Sequence, residues 1–215
     1  MRKEVVIMIV IAVILVGLGI LLSRSGTGNK ISSSTDNQAL VRASSHMTGK
    51  AGAKVTVVEF GDYQCPACGE AEPVVEQVIA AYKNNPDFNF VFRNFPLPQH
   101  GNAMISAEAA EAAAEQGKFW EMHNKLYQTQ NDWADNASPL SLFAGYAQQL
   151  GLDVNKFQQE VQQNKFSGTI SADQTDGLAL NVNSTPTFFI NGQAHPGVLT
   201  FDQFKSLIDP LLNSK

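Results

Sequence analysis

The stretch Val55-Thr-Val-Val-Glu-Phe-Gly-Asp-Tyr-Gln-Cys65-Pro-Ala-Cys68 decides the fold. Its first six residues, Val55 to Phe60, are rich in β-branched and aromatic side chains and enclose one carboxylate, Glu59, before Gly61 and Asp62 break the pattern. Such a run predicts a buried strand ending in a turn. Cys65 and Cys68 follow where the next periodic segment begins, and Pro66 takes a position suited to the first turn of a helix. The pair therefore opens a helix, where unpaired N–H groups and the positive end of the helix dipole stabilise a thiolate. The first cysteine of such a motif can fall from a pKa of about 8.5 to roughly 3.5–7.5. Cys65 is expected to be the thiolate at neutral pH, and Cys68, one turn deeper, the more buried resolving partner.

Downstream, Ala71, Val74, Val75, Val78, Ile79 and Tyr82 recur at helical spacing until Asn84-Asn85-Pro86 stops them, and Phe88 to Phe95 alternates as a second strand. Strand, helix, strand in this order predicts a βαβ unit with a parallel pair. From about Gly101 the pattern turns helical: Ala103 to Gln116, then an amphipathic face of Phe119, Trp120, Met122, His123, Leu126 and Tyr127, then segments near 140–150, 153–164 and 168–180. Gly151 and Asp153 supply a stop and a cap, while Gly168 and Gly177 weaken the last segment. Residues from about 101 to 180 thus read as a helical subdomain inserted into the α/β unit. The sheet resumes in Thr185-Pro-Thr-Phe-Phe-Ile-Asn-Gly192, with a strand from Thr187 to Ile190, an Asn191-Gly192 hairpin turn and a return strand from Gln193 to Val198. A closing helix is expected from about Thr200, its cap, to Leu212, kinked or shortened at Pro210.

Upstream, Met1-Arg2-Lys3-Glu4 precedes an apolar run from Val5 to Leu22. A bilayer core needs about 20 apolar residues, with a range near 17–25, whereas the core of a secretory signal is nearer 7–15. Residues 5–22 are therefore expected to be one transmembrane anchor, or an uncleaved signal, with residues 1–4 cytoplasmic and the rest of the chain extracytoplasmic, on the periplasmic or cell-wall side. Residues 23–50 are small and polar without period and read as a flexible linker, in which His46 is expected to be solvated. With 215 residues and 44% hydrophobic content, the chain supports one folded domain, 51–213. Residues 1–50 carry six Lys/Arg against two Asp/Glu, which leaves nine against eighteen for the remainder, so nucleic acid is excluded as a partner of the folded part.

Cys65-Pro-Ala-Cys68 at a strand-to-helix turn, a helical insertion, and Ser184-Thr-Pro-Thr-Phe-Phe-Ile-Asn-Gly192 before a hairpin occur in one order. Over roughly residues 50–213 the sequence resembles the DsbA-like thiol-disulfide oxidoreductases, which have the thioredoxin fold. That resemblance makes Cys65 the nucleophile that forms a mixed disulfide and Cys68 the thiol that resolves it. Glu59 matches the family's buried acidic residue, and Pro186 its cis-proline facing the dithiol. Thr185 matches the position whose backbone pairs with a bound polypeptide, and Pro66 and Ala67 flank the same surface. Ala67 stands where DsbA itself carries a histidine credited with stabilising the thiolate. The resemblance implies cysteine-containing exported polypeptides as substrates, a quinone-linked membrane partner for reoxidation, and no cofactor.

Read from the residues alone, Glu59 is either a tolerated strand-end carboxylate or a buried acid able to take the proton of Cys68, and burial would raise its pKa. The expected function is a membrane-anchored enzyme forming disulfides in exported proteins. The rivals are an extracytoplasmic reductase or isomerase and, from another class, a metal-binding module using the two cysteines. His100, His123 and His195 have no ligand-like spacing and read as surface or core histidines, so no metal ligand is assigned. Asp62 reads as a turn former, and Trp120 and Trp133 as packing of the insertion.

Overall fold

The computed structural model describes residues 40–214; the expected anchor at 5–22 and the linker up to residue 39 lie outside the described residues. Five strands form one sheet: β1 (His46–Met47), β2 (Val55–Gly61), β3 (Phe88–Asn94), β4 (Thr187–Ile190) and β5 (Gln193–Pro196), in the order β1-β3-β2-β4-β5. The central pair, β2 and β3, is parallel, as the βαβ reading requires, and the other pairs are antiparallel. Helix α1 (Pro66–Tyr82) makes the crossover between β2 and β3. The insertion follows as α2 (Ala103–Ala114), α3 (Phe119–Gln128), α4 (Gln130–Trp133), α5 (Leu140–Gln149), α6 (Val154–Gln162) and α7 (Ser167–Ala179), and α8 (Phe201–Asn213) closes the chain. Among the described residues no helix is long and apolar enough to cross a membrane. The architecture is the expected thioredoxin fold with an inserted helical subdomain.

Alternation of side chains along the strands divides the core in two. Val55 and Val57 of β2, Phe90 and Phe92 of β3, and Phe188 and Ile190 of β4 join α1, α8 and the insertion on one face. Val58, Phe60, Val91 and Phe189 pack with Leu40, Phe95 and Val182 on the other. Helix α7 lies against this second face. A Cβ on its Gly177 would stand 2.7 Å from Phe95 and 3.0 Å from Phe60, so the residue that weakened the helical reading is there to let the backbone approach the sheet.

Several expectations need correction. The folded unit begins before residue 51: Leu40 is buried, Arg42 pairs with Asp176, and His46–Met47 adds a fifth strand beside β3. His46 is not solvated, because its ring stacks on Phe119 with centroids 3.5 Å apart and its Nε2 lies 3.0 Å from Glu111 Oε2. Short polar sequence hid this segment, whose strand is only two residues long. Helix α8 continues through Pro210 to Asn213. Pro210 is on the exposed side, where water can satisfy the carbonyl that loses its partner. The return strand stops at Pro196, two residues short of Val198. The Thr200 cap is present, and with Gln203 it forms a full capping box.

Candidate active site

The dithiol is placed by the end of β2 and the start of α1. Asp62, buried just past β2, builds the turn between them: its Oδ1 accepts from Gln64 N (2.8 Å), and its carbonyl accepts from Cys65 N (3.0 Å). Its Oδ2 accepts from Leu97 N (2.9 Å) and meets His100 Nδ1 (2.6 Å), so Asp62 also ties down the loop after β3. Cys65 is the N-cap of α1 with extended backbone, Pro66 follows in the first turn, and no side chain caps the helix. The free N–H groups of that turn are therefore left to the thiol of Cys65. Both cysteines are in the free thiol form, with Cys65 7% and Cys68 1% exposed.

Across the site the Thr185–Pro186 peptide bond is cis, and the Thr185 carbonyl lies 3.4 Å from Cys65 Sγ. Pro66 is exposed and Ala67 half-buried beside Cys65, while Thr185 and Pro186 are buried opposite. The structure thus brings Cys65, Cys68, Pro66, Ala67, Thr185 and Pro186 to one place, and sets Glu59 beneath them. Glu59 is 1% exposed on the central strand, with Phe92 and Phe188 as its neighbours on either side, and it shares a face with Val55 and Val57.

The two thiols are driven apart in acidity. Cys65 is lowered to about 5, first by a hydrogen bond from Cys68, against the cost of burial, with further help from Thr185 and the backbone N–H groups of Cys68 and Ala67. The Thr185 hydroxyl is buried without a hydrogen-bond partner, and it is the carbonyl of Thr185 that meets Cys65. This stabilisation proceeds with Ala67 in place of a histidine. Cys68 is pushed well above the usual thiol range by burial, by its bond to Cys65 and by the charge of Glu59. Glu59 is pushed well above the usual carboxylate range by burial, then by the charges of Glu72 and Cys65. Such a trio provides an ionised nucleophile, a protonated resolving thiol and a buried acid able to exchange a proton with it.

Sequence reasoning did not find the remaining buried polar groups. Glu72, four residues after Cys68 and so on the same helical face, lies 3.4 Å from His123 Nε2. His123 Nδ1 in turn meets the Tyr63 hydroxyl at 3.0 Å, and Tyr127 packs against both rings. The spacing of Glu72 from Cys68 was a usable signal. His123 and Tyr127 come from α3, and no local pattern links them to the dithiol. Among the described residues, no group of three or more His, Cys, Asp or Glu is placed to hold a metal ion.

Comparison with known proteins agrees with this geometry. A family model described as Thioredoxin matches residues 42–210. The chain is 39% identical over 164 residues to the Na(+)/H(+) antiporter NhaA 3 of Salinispora tropica, an alignment covering 76% of this chain and 24% of that protein. It spans about a quarter of the length of the curated relatives it matches, and antiport belongs to those whole proteins. Among solved structures, a thioredoxin-like oxidoreductase from Silicibacter pomeroyi DSS-3 superposes with a TM-score of 0.69 at 26% identity, covering 83% of this chain and 98% of that one. The alpha-DsbA1 of Wolbachia pipientis shares the fold, with a TM-score of 0.73 at 20% identity over 82% of this chain and 95% of its own. An acidic N-cap cysteine, a buried partner thiol and a cis-proline loop, set in a sheet interrupted by a helical insertion, place the chain in the thioredoxin family as a DsbA-like protein thiol-disulfide oxidoreductase.

Proposed function

We propose that the enzyme forms disulfide bonds in cysteine-containing exported polypeptides, held at the extracytoplasmic face of a membrane by residues 5–22 and reoxidised by a quinone-linked membrane partner. The observation that carries the direction is the acidity of Cys65, lowered to about 5. A thiolate stabilised at neutral pH favours the reduced form of the pair, and a pair that favours its reduced form oxidises others.

In the forward step a substrate thiolate attacks Cys65 Sγ of the oxidised enzyme. The Cys65–Cys68 bond breaks, a mixed disulfide forms on Cys65, and the bond electrons leave with Cys68. Burial disfavours that charge, so Cys68 takes a proton, for which protonated Glu59 is the buried donor. A second substrate thiolate then attacks the substrate sulfur of the mixed disulfide and expels Cys65 as a thiolate. Two substrate thiols become one disulfide, and the enzyme holds the two electrons. Thr185, through its backbone, and Pro186 form the wall against which the polypeptide is laid, with Pro66 and Ala67 on its other side.

The test is the equilibrium of Cys65 and Cys68 in the full chain, in detergent, against a glutathione series, with metal content measured on the same sample. A potential near that of DsbA, about −120 mV, is expected. A value near that of thioredoxin, about −270 mV, would overturn the direction and make the enzyme an extracytoplasmic reductase in need of an electron donor.

A further inference from the structure

We propose that Gln130, a residue of the helical insertion, is a positioning residue for the dithiol: its side-chain amide fixes the turn that carries Cys65. Gln130 Nε2 donates to two consecutive parts of that turn, the carbonyl of Tyr63 at 2.7 Å and the carbonyl of Cys65 at 2.9 Å. Both partners can only accept, so the amide nitrogen has to face them, and the orientation of the amide follows from chemistry. The Cys65 carbonyl already receives the N–H groups of Cys68 and Gly69, each at 3.1 Å, which close the first turn of α1. Gln130 is thus a third donor on the one carbonyl that begins the helix.

The first turn of α1 is also shaped to receive this side chain. A Cβ on Gly69 would stand 2.6 Å from Gln130 Oε1, 3.1 Å from its Cδ and 3.2 Å from its Nε2. The amide therefore lies flat against the helix where any side chain would displace it, which gives Gly69 a reason to be glycine one residue after Cys68. The base that carries Gln130 is rigid. Trp133, fully buried at the other end of α4, donates its indole N–H to Leu126 O at 2.9 Å and packs edge-on to Phe143. The neighbouring Gln64 repeats the arrangement in reverse, donating to Ala134 O at 2.6 Å and accepting from Asn102 N at 2.5 Å.

What Gln130 fixes is the geometry that the thiolate uses. Cys65 draws on the N–H groups of Ala67 and Cys68, the Cys68 thiol and Thr185, all of which depend on where the Cys65 backbone sits. If the carbonyl is released, the turn gains freedom, those donors leave their places, and the reduced form loses stabilisation relative to the disulfide. The insertion then serves as the clamp that sets how oxidising the pair is. This inference rests on exchange through Cys65 and Cys68 but not on its direction, since the acidity of Cys65 can be measured whichever way electrons flow.

The experiment is a cycle of Gln130→Met, which keeps the length and removes the donor, Gly69→Ala, and the two together, in the full chain. Thiolate absorbance of the reduced protein against pH reports the acidity of Cys65, the glutathione equilibrium reports the redox balance, and urea unfolding of both redox forms reports stability. Gln130→Met, which loses both hydrogen bonds, is expected to move the Cys65 titration upward and shift the glutathione equilibrium about threefold to tenfold toward the disulfide, the range expected if the reduced form alone draws on the bond to the Cys65 carbonyl. Gly69→Ala is expected to do the same by pushing the amide away. Because both variants remove one interaction, the double variant is expected to match the larger single effect instead of their product. A purely structural role would lower the stability of both redox forms equally and leave titration and equilibrium in place, and that result would overturn the proposal. So would multiplicative effects in the cycle. Should Gln130→Met not fold, an unchanged Cys65 titration in Gly69→Ala would overturn it as well.

Discussion

Glu59 is the residue whose place in the chain most directly declares its environment. A carboxylate inside a run of β-branched residues, six positions before a dithiol, reads as a buried acid, and it is 1% exposed between Phe92 and Phe188. Its proton is held by burial in the folded state, while in the unfolded chain it leaves in the ordinary carboxylate range. Between those two points the unfolded state binds fewer protons than the native one, so stability falls as pH rises through that window. Glu59→Gln is therefore expected to stabilise the enzyme at neutral pH by up to about 1.4 kcal/mol for each pH unit above the ordinary carboxylate range, with the gain vanishing below that range. Urea unfolding at several pH values checks this, and an equal gain at all pH values would exclude ionisation as its source. The same variant is expected to slow resolution by Cys68 and to spare attack by Cys65, which stopped-flow mixing with a model disulfide separates. Cys65, Cys68 and Glu59 were legible because one short segment carries them all. Gln130 and His123 were not, since their meaning depends on α3 and α4 folding back over a turn more than fifty residues earlier in the chain.

At the scale of elements, β3 was legible as a strand but not as one buried on both faces. Its alternation suggests a wet side carrying Asn89 and Arg93, with Asn94 at the strand end on the phenylalanine face, yet all seven residues are buried. The polar side chains donate to partners far away in the chain. Arg93 donates to Asp173 Oδ1 and Asp176 Oδ2 of α7, each at 2.7 Å, and to the Leu40 carbonyl at 2.8 Å, and its guanidinium also lies over Phe60. Asn94 donates to Glu111 Oε1 of α2 at 2.8 Å. No local pattern announces such partners, because they lie across the insertion or at the start of the folded unit. Removing one member of a fully buried ion pair leaves the other charged and unsolvated, which costs about 3–5 kcal/mol. Arg93→Ala is expected to lose that much in urea unfolding, whereas Arg42→Ala, whose side chain is 40% exposed on the same Asp176, is expected to lose less than about 1 kcal/mol. Equal losses would mean that the Asp173 and Leu40 contacts contribute little. Neither residue contacts the dithiol, so the glutathione equilibrium is expected to be the same in both variants.

At the scale of the whole molecule, composition separated an apolar start, a polar stretch and a folded unit, and the structure moves the last boundary inward. The folded unit includes Leu40 and the strand His46–Met47, so part of the stretch that composition gives to a linker belongs to it. Anchoring by residues 5–22, as we propose, would keep the dithiol near the membrane partner proposed to reoxidise it. The proposal makes two demands on the full chain in cells. The protein should stay with the membrane fraction through a high-salt wash, because the proposed anchor, an apolar run of 18 residues from Val5 to Leu22, would hold it by burial and not by charge. Cys65 should also react with a thiol reagent that cannot cross the membrane, because on the proposed orientation Arg2 and Lys3 would keep the N-terminus on the inner side and put the dithiol outside. A shortened, soluble chain recovered outside the membrane would show that residues 5–22 act as a cleaved signal, and the anchoring proposal would fall while the exchange chemistry stood. Protection of Cys65 in intact cells, lifted on lysis, would instead reverse the orientation and remove exported polypeptides as its substrates.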